Sequence, residues 1–455
     1  DEQRDASDPA ELAWLSASAG TGKTQVLTAR VMRLLLSGVD PAAILCLTFT
    51  KAGAAEMADR IHARLAHWVR LKNPVLAQEL MALGEAHDPD SVAEARKLFA
   101  RVLDATGGGL RIQTIHAFAQ SLLAAFPAEA RIVPGFRPIE GREQSLLIRD
   151  TLAAMLVSAE EGGDTDLISD VQHLSRRMGE EGAENFLRHC AHNFEALAAL
   201  GPPELFNDVL RRGFDLPAGD VDQAIIEACS DTAFDTDTLR KIADANSQWG
   251  TKTGLADAQT ISTWLAADAE QRAVILSDLR NVWATKQGDL RKFSQKLIDI
   301  APDYPEICAS LDEQVGAMLA MRIKAEFAQF AGAALRSGRR FAEDYAVAKR
   351  RRGALDFNDM ISIVRFLLTQ DGIGEWVRYK LDQSIDHILV DEAQDTNSAQ
   401  WSIIEGLSAE FFEMDPDSAD AVHRTIFAVG DFKQAIFGFQ GTNPQAFTDA
   451  RRRFA

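Results

Sequence analysis

A run of small residues ending in Lys23 and Thr24 constrains this chain more than any other feature. The run reads Ala17-Ser18-Ala19-Gly20-Thr21-Gly22-Lys23-Thr24. It follows a short apolar stretch at residues 13–16 and precedes a helical pattern that places Leu27, Val31, Leu34 and Leu35 on one face. Small residues let successive backbone N–H groups turn inward around a phosphate, while a lysine reaches the β and γ oxygens and a hydroxyl holds Mg²⁺. The strand–loop–helix context therefore predicts a nucleotide phosphate site. A glycine-rich turn that only caps a helix is the alternative.

Two adjacent carboxylates provide the second feature. Asp391 and Glu392 directly follow an apolar run at residues 385–390, which is long enough for a buried strand. We expect this strand to lie beside the strand that precedes the phosphate loop. Asp391 would then take Mg²⁺ through its water shell, and Glu392 would accept a proton from an attacking water. A solvated strand end is the alternative for two acidic residues taken alone.

The distribution of apolar runs predicts the fold class. Further strand candidates occur at residues 44–49 and 425–429, and helical patterns separate the strands. Strands that alternate with helices indicate an α/β, doubly wound parallel sheet with its chemistry at the carboxyl ends of the strands. Residues 141–352 are rich in Ala and Leu with helical spacing, which predicts a mostly helical domain inserted into the sheet domain.

Composition narrows the function classes. A formal net charge of −19 excludes a histone-like coat on nucleic acid, but it allows a narrow DNA groove with acidic outer faces. The sequence contains no apolar stretch of the roughly 18 residues that a membrane helix needs. Its four cysteines, Cys46, Cys190, Cys229 and Cys308, are too few for a disulfide scaffold and fit a reducing, cytoplasmic setting. The chain begins without Met and stops abruptly, which favours a piece of a longer protein.

Beyond the phosphate loop and the acidic pair, four more segments occur in the order found in one known family. They are LTFTKAGAAEM at residues 47–57, QTIHAF at 113–118, LDFNDM at 355–360, and GDFKQAIFGFQG at 430–441. With these segments the chain resembles the N-terminal part of a superfamily 1 DNA helicase of the UvrD/RecB type. Within that family it resembles the AddA component of AddAB-type helicase–nucleases, which repair double-strand breaks.

The resemblance implies a fold and a division of the chain. It implies a RecA-like motor domain 1A in two parts, residues 1–135 and 346–455, interrupted by a helical 1B-like domain at residues 136–345. It also implies a second motor domain and a nuclease domain that would follow Ala455. Arginines from the second motor domain would complete the ATP site, so we expect this piece alone to hydrolyse ATP poorly.

The resemblance further implies ATP and Mg²⁺ as cofactors, single-stranded and duplex DNA as partners, 3′–5′ polarity, and an AddB-like second subunit. Residues 17–24 would bind ATP with Gln3, which would read the adenine. Lys23 and Glu392 would act in catalysis, Gln434 would sense the γ-phosphate, and Thr24 and Asp391 would hold Mg²⁺. The implied DNA contacts are base stacking by three rings and backbone contacts by three polar residues: Phe49, Phe437 and Phe439; Thr50, Thr114 and His116.

Several alternatives stay open at the level of sequence. Each phenylalanine could pack in a core instead of stacking on a base. A basic stretch at residues 336–352 could line a DNA path or could be one solvated helix face. At the level of function, the alternatives are a protein that gates DNA or partner binding with nucleotide but has no motor activity, and an unrelated P-loop ATPase that acts on proteins.

Overall fold

The structure is a computed structural model that describes residues 5–16, 22–105, 109–382, 384–412, 423–431 and 452. The chain forms two compact units, one made of residues 1–145 together with 349–455 and the other of residues 146–348. The second unit is therefore inserted into the first along the sequence. The identification of these units with motor domains 1A and 1B, with bounds after residues 135 and 345, stays a prediction.

A parallel sheet forms the centre of the first unit. The strands, in chain order, are β1 Ala13–Ser16, β2 Ile44–Thr48, β3 Arg111–Thr114, β4 Arg137–Pro138, β5 Ala354–Leu355, β6 His387–Val390 and β7 Thr425–Gly430. Five of them form one sheet in the order β1–β7–β6–β2–β3, and every neighbouring pair is parallel. β4 and β5 form a separate parallel pair. The predicted α/β parallel sheet is confirmed.

One expectation about the sheet is wrong. The strand before Asp391, β6, does not lie beside the phosphate-loop strand, because β7 lies between β1 and β6 and pairs with both. Burial gives the physical reason. All six residues of β7 are buried, as a central strand with helices on both faces requires. In β1, by contrast, Ala13, Trp14 and Leu15 are only partly buried, which suits the edge of the sheet.

Helices of the first part of this unit follow the patterns seen in the sequence. They are α1 Lys23–Leu36, α2 Lys51–Arg70, α3 Asn73–Leu83, α4 Pro89–Asp104 and α5 Ile115–Ala125. The predicted apolar face of α1 is correct, because Leu27, Val31, Leu34 and Leu35 are all buried. Helix α1 begins after Gly22, whose φ of 87° lies in the left-handed region that a residue without Cβ adopts readily.

The second unit is helical in the part that the structure describes, apart from one isolated β-bridge between Ala284 and Leu290. The helices from here to the return into the first unit are α6 Gly141–Gly162, α7 Thr165–His192, α8 Phe194–Ala199, α9 Phe206–Gly213, α10 Val221–Ala228, α11 Thr236–Trp249, α12 Lys252–Ala266, α13 Ala269–Val274, α14 Leu276–Arg280, α15 Gln295–Ile300 and α16 Tyr304–Arg351. Its core includes the buried side chains of Trp264 and Trp283.

Three more helices complete the first unit, and together with the earlier ones they cover both faces of the sheet. They are α17 Phe357–Thr369, α18 Ile373–Asp382 and α19 Ser398–Ser408. Alternate strand residues point to opposite faces: Leu45 and Leu47 pack with α5, α17 and α19, whereas Ile44 and Cys46 pack with α1, α2 and α4. The sheet is thus buried on both sides, and only its ends and edges are open for a site.

Candidate functional site

The carboxyl ends of the parallel strands bring the predicted residues to one edge of the sheet. The register pairs Ser16 with Gly430, Ala428 with Val390, Val390 with Leu47, and Thr48 with Thr114. The residues that follow these strand ends are those singled out from the sequence. Open α/β sheets bind ligands at this edge, so the register supports one continuous site.

The part of the phosphate loop that the structure describes is Gly22, Lys23 and Thr24. Lys23 is the first residue of α1 and Thr24 the second, so both stand at a helix N-terminus, where unpaired backbone N–H groups favour anions. The side chains of both residues are only partly buried. The remaining loop residues, 17–21, and Gln3 lie outside the described residues, so their assignment to ATP stays a prediction.

Asp391 is fixed at the end of β6 by the sheet. Its backbone N–H donates to the carbonyl oxygen of Leu47 at 2.8 Å, which extends the pairing with β2 by one residue. Burial, and next the neighbouring Glu392 charge, raise the pKa of the Asp391 carboxyl to about 6. Lys23 and Arg60 oppose this shift through their charges. Both cations therefore lie close enough to Asp391 to interact with it.

Glu392 has an unusual backbone conformation. Its φ of 51° and ψ of 42° lie in the left-handed region, which residues with a Cβ rarely adopt. The turn is held by a bond from the Glu392 backbone N–H to Asp391 Oδ1 at 3.0 Å. Strained backbone of this kind is concentrated at functional sites, and here it directs two successive carboxylates away from the strand end.

Gln394 links Glu392 to the next strand. Its Nε2 donates to Glu392 Oε2 at 2.5 Å, and its Oε1 accepts the backbone N–H of Asp431 at 2.8 Å. Asp431 directly follows β7, so one amide side chain connects the ends of β6 and β7. The sequence assigned no role to Gln394, because its partner lies 37 positions further along the chain.

Arg60 is a second residue that the sequence did not single out. It belongs to α2 and forms an ion pair with Glu56, one turn earlier. It also lines an open cavity of about 680 Å³ with Thr24. The other polar residues lining this cavity are Ser7, Gln25, Thr28 and Arg64. The available signal was a cation on the helix that follows the β2 end, but helical spacing alone does not tell which cation faces the phosphate loop.

The predicted DNA contacts that the structure describes lie at the ends of β2 and β3. Phe49 is partly buried, and the exposed Thr50 caps α2 by accepting the Gly53 N–H at 2.9 Å. Thr114 is buried and caps α5 by accepting the Ala117 N–H at 3.1 Å. Their DNA contacts stay predictions, and the caps give both hydroxyls a structural role as well.

The fourth of these residues, His116, packs against an aromatic ring. Its ring centroid lies 4.6 Å from that of Phe357, the first residue of α17. Burial lowers the pKa of the His116 imidazole, while the Glu140 charge raises it. The backbone contact expected of His116 stays a prediction. Gln434, Phe437 and Phe439 lie outside the described residues.

The basic stretch at residues 336–352 is largely paired with acids within each unit. Arg336 binds Asp170 through two bonds of 2.9 and 2.8 Å in the second unit. Arg339 and Arg340 pair one turn along α16 with Glu343 and Asp344. In the first unit, Lys349 contacts both Asp356 and Asp359, at 2.8 and 2.6 Å. These pairs agree with a structural role for much of the stretch.

Within the described residues, the search for helices long and apolar enough to cross a membrane finds none.

Comparison with known proteins adds a family and its members. Residues 1–455 match the family model of the UvrD/REP helicase N-terminal domain. Curated relatives include the A chain of the ATP-dependent helicase/nuclease of Pediococcus pentosaceus, which is 24% identical over 97% of this chain and 35% of the relative. The proteins of the same name from Moorella thermoacetica and Latilactobacillus sakei are each 25% identical over 97% of this chain, and the match covers 31% and 49% of their lengths. The chain thus spans about a third to a half of these relatives.

Proposed function

Because the chain belongs to the UvrD/REP helicase family, we propose that it is the ATP-binding part of a DNA helicase. In this proposal the motor translocates 3′–5′ on single-stranded DNA and acts in double-strand break repair. The observation that carries the proposal is the meeting of Lys23, Asp391 and Glu392 at one edge of the sheet, where Lys23 and Asp391 interact electrostatically.

The reaction that this arrangement supports is hydrolysis of the β–γ bond of ATP. A water oxygen bonds to the γ-phosphorus, the bond to the bridging β–γ oxygen breaks, and ADP leaves. Glu392 takes the proton of the attacking water, and Lys23 offsets charge on the transferring phosphoryl group. The turn at Glu392 supports this role, because it directs the carboxylate out from the end of β6.

The donor set also fits Mg²⁺, which prefers hard oxygen ligands in proteins. Thr24 would supply a hydroxyl and Asp391 a carboxylate, the latter through water. When bound, Mg²⁺ would neutralise charge on the β and γ oxygens. The adenosine part of the nucleotide would occupy the cavity lined by Ser7, Thr24 and Arg60, which is large enough for a small ligand.

Single-stranded DNA would cross the ends of β2 and β3, with Phe49 stacking on a base and Thr50, Thr114 and His116 near the backbone. Stacking on an aromatic face contributes about 1–3 kcal/mol per base and does not depend on base identity, which suits a translocating motor. The names of the relatives describe one component of a helicase/nuclease. They support a nuclease activity and a second, AddB-like subunit for the whole protein.

Substitution of Lys23 by Ala tests the proposal in the full-length gene product. We expect hydrolysis stimulated by single-stranded DNA to fall to background, while most DNA binding remains, because Lys23 contacts phosphate and not DNA. Lys97→Ala is the matched control, since Lys97 is an exposed lysine on α4. Hydrolysis that does not respond to DNA in the unmodified protein would favour a P-loop ATPase that acts on proteins. DNA binding that responds to nucleotide without any hydrolysis would favour a gating protein.

A further inference from the structure

Gln394 is one of the most deeply buried polar residues of the first unit, with 2% of its surface exposed. Burying an amide side chain is unfavourable unless its donors and acceptor find partners. Gln394 meets this condition in one way only. The Asp431 N–H is a donor and requires the amide oxygen, so the amide nitrogen must face Glu392. The backbone of β7 therefore fixes the orientation of the side chain.

The surroundings of Gln394 leave it little freedom. A Cβ placed on Gly430 would lie 2.8 Å from Gln394 Oε1 and 3.1 Å from its backbone nitrogen, so this close approach needs a glycine at the end of β7. Gln394 also belongs to the short 3₁₀ turn Ala393–Asp395, which directly follows Glu392. The amide is thus held on one side by strand β7 and on the other by its own turn.

The charged groups around this amide, among the described residues, are all acidic. Glu392 accepts its short hydrogen bond, and the Asp395 carboxylate lies 3.4 Å from Nε2. Asp391 and Asp431 flank the two strand ends. The Gln394 amide is therefore a neutral donor among carboxylates, and it directs one of them.

We infer that Gln394 is a positioning residue for ATP hydrolysis, which holds the Glu392 carboxylate towards the attacking water by means of the end of β7. The inference rests on the proposed function, because it takes Glu392 as the base. It also ties the base to Asp431, which belongs to the segment 430–441 that contains Gln434. A shift at the end of β7 would thereby move the base.

The test compares Gln394→Met with Gln400→Met in the full-length gene product. Gln400 is equally buried, and its side chain caps α19 together with Asn397, away from Glu392. We expect Gln394→Met to lower kcat about 10²-fold with KM for ATP within about threefold, because small misplacements of a catalytic group have effects of that size. Gln400→Met is expected to keep kcat within about twofold at a similar loss of thermal stability.

Two further variants separate positioning from a general loss of folding. Gly430→Ala should reproduce the loss in kcat by displacing the amide from the other side. In Gln394→Glu, a carboxylate faces Glu392, and the two repel when both are ionised. A proton between them restores a hydrogen bond, so the deficit of this variant should shrink from pH 9 to pH 6, whereas that of Gln394→Met should stay constant.

Glu392→Gln distinguishes the two levels of failure. If Glu392→Gln keeps more than a tenth of the turnover, the assignment of the base is wrong, and the proposed function loses its mechanism. If Glu392→Gln abolishes turnover but Gln394→Met changes kcat less than threefold, or changes it no more than Gln400→Met does, only the positioning inference is wrong. A deficit of Gln394→Glu that does not vary with pH would also overturn it.

Discussion

Replacement of Asp391 by Asn should stabilise the protein at neutral pH while it abolishes Mg²⁺-dependent hydrolysis. Burial and the Glu392 charge raise the pKa of Asp391 to about 6, from an ordinary value of 3.8. The folded protein therefore holds the proton more tightly than the unfolded chain does. Holding an ionised carboxylate at this position costs stability, and the cost appears only once the folded protein has lost the proton.

The magnitude follows from linkage between protonation and folding. Below about pH 4 both states are protonated and the cost is small; it grows as the pH rises, and above about pH 6 it is complete. The difference between the two pKa values corresponds to about 3 kcal/mol at most, since each pH unit is worth about 1.4 kcal/mol. Asn keeps an oxygen for the Glu392 N–H, so the variant loses the charge and retains the turn.

Thermal unfolding without nucleotide measures the effect. For a unit of about 250 residues, we expect Asp391→Asn to raise Tm at pH 8 by several degrees and at most about 12 °C, because each kcal/mol shifts Tm by about 2–4 °C. At pH 4 the gain should nearly vanish. Asp371→Asn, at an exposed turn, is the control and should leave Tm unchanged. A lower Tm at pH 8, or an equal gain at both pH values, would refute the reasoning.

Three further predictions concern stability, DNA binding and turnover. Lys349→Met should lower the free energy of unfolding by about 3 kcal/mol in denaturant titrations, since it leaves Asp356 buried without its cation; the added change Asp356→Asn should recover part of the loss, and a smaller loss for the single variant would contradict this. Phe49→Ala should weaken binding of single-stranded oligonucleotides by about 1–3 kcal/mol, whereas Phe49→Trp should not, and equal affinities would favour core packing. Extension of the chain beyond Ala455 should raise DNA-stimulated ATP turnover by about 10³-fold or more, and equal turnover in both forms would show that no completing arginine is needed.

Two residues illustrate what only the tertiary structure decided. Gln394 and Asp431 are far apart along the chain, and their hydrogen bond exists because β7 inserts between β1 and β6. No local pattern encodes strand order, which depends on how each crossover packs its helix onto the sheet. For the same reason the expectation that β6 would neighbour β1 was wrong. The direction in which Arg60 points likewise depends on how α2 packs.

The sequence by itself determined the elements and the edge of the sheet at which the site forms. Residues 17–24 and the strand-like runs around them carry a local signal, because a phosphate loop needs small residues and a lysine in fixed order between a strand and a helix. Apolar runs without alternation revealed a sheet buried on both faces. Tertiary structure then decided which strand ends are neighbours and raised the pKa of Asp391. Both depend on packing between segments distant in the chain, which no spacing within a segment records.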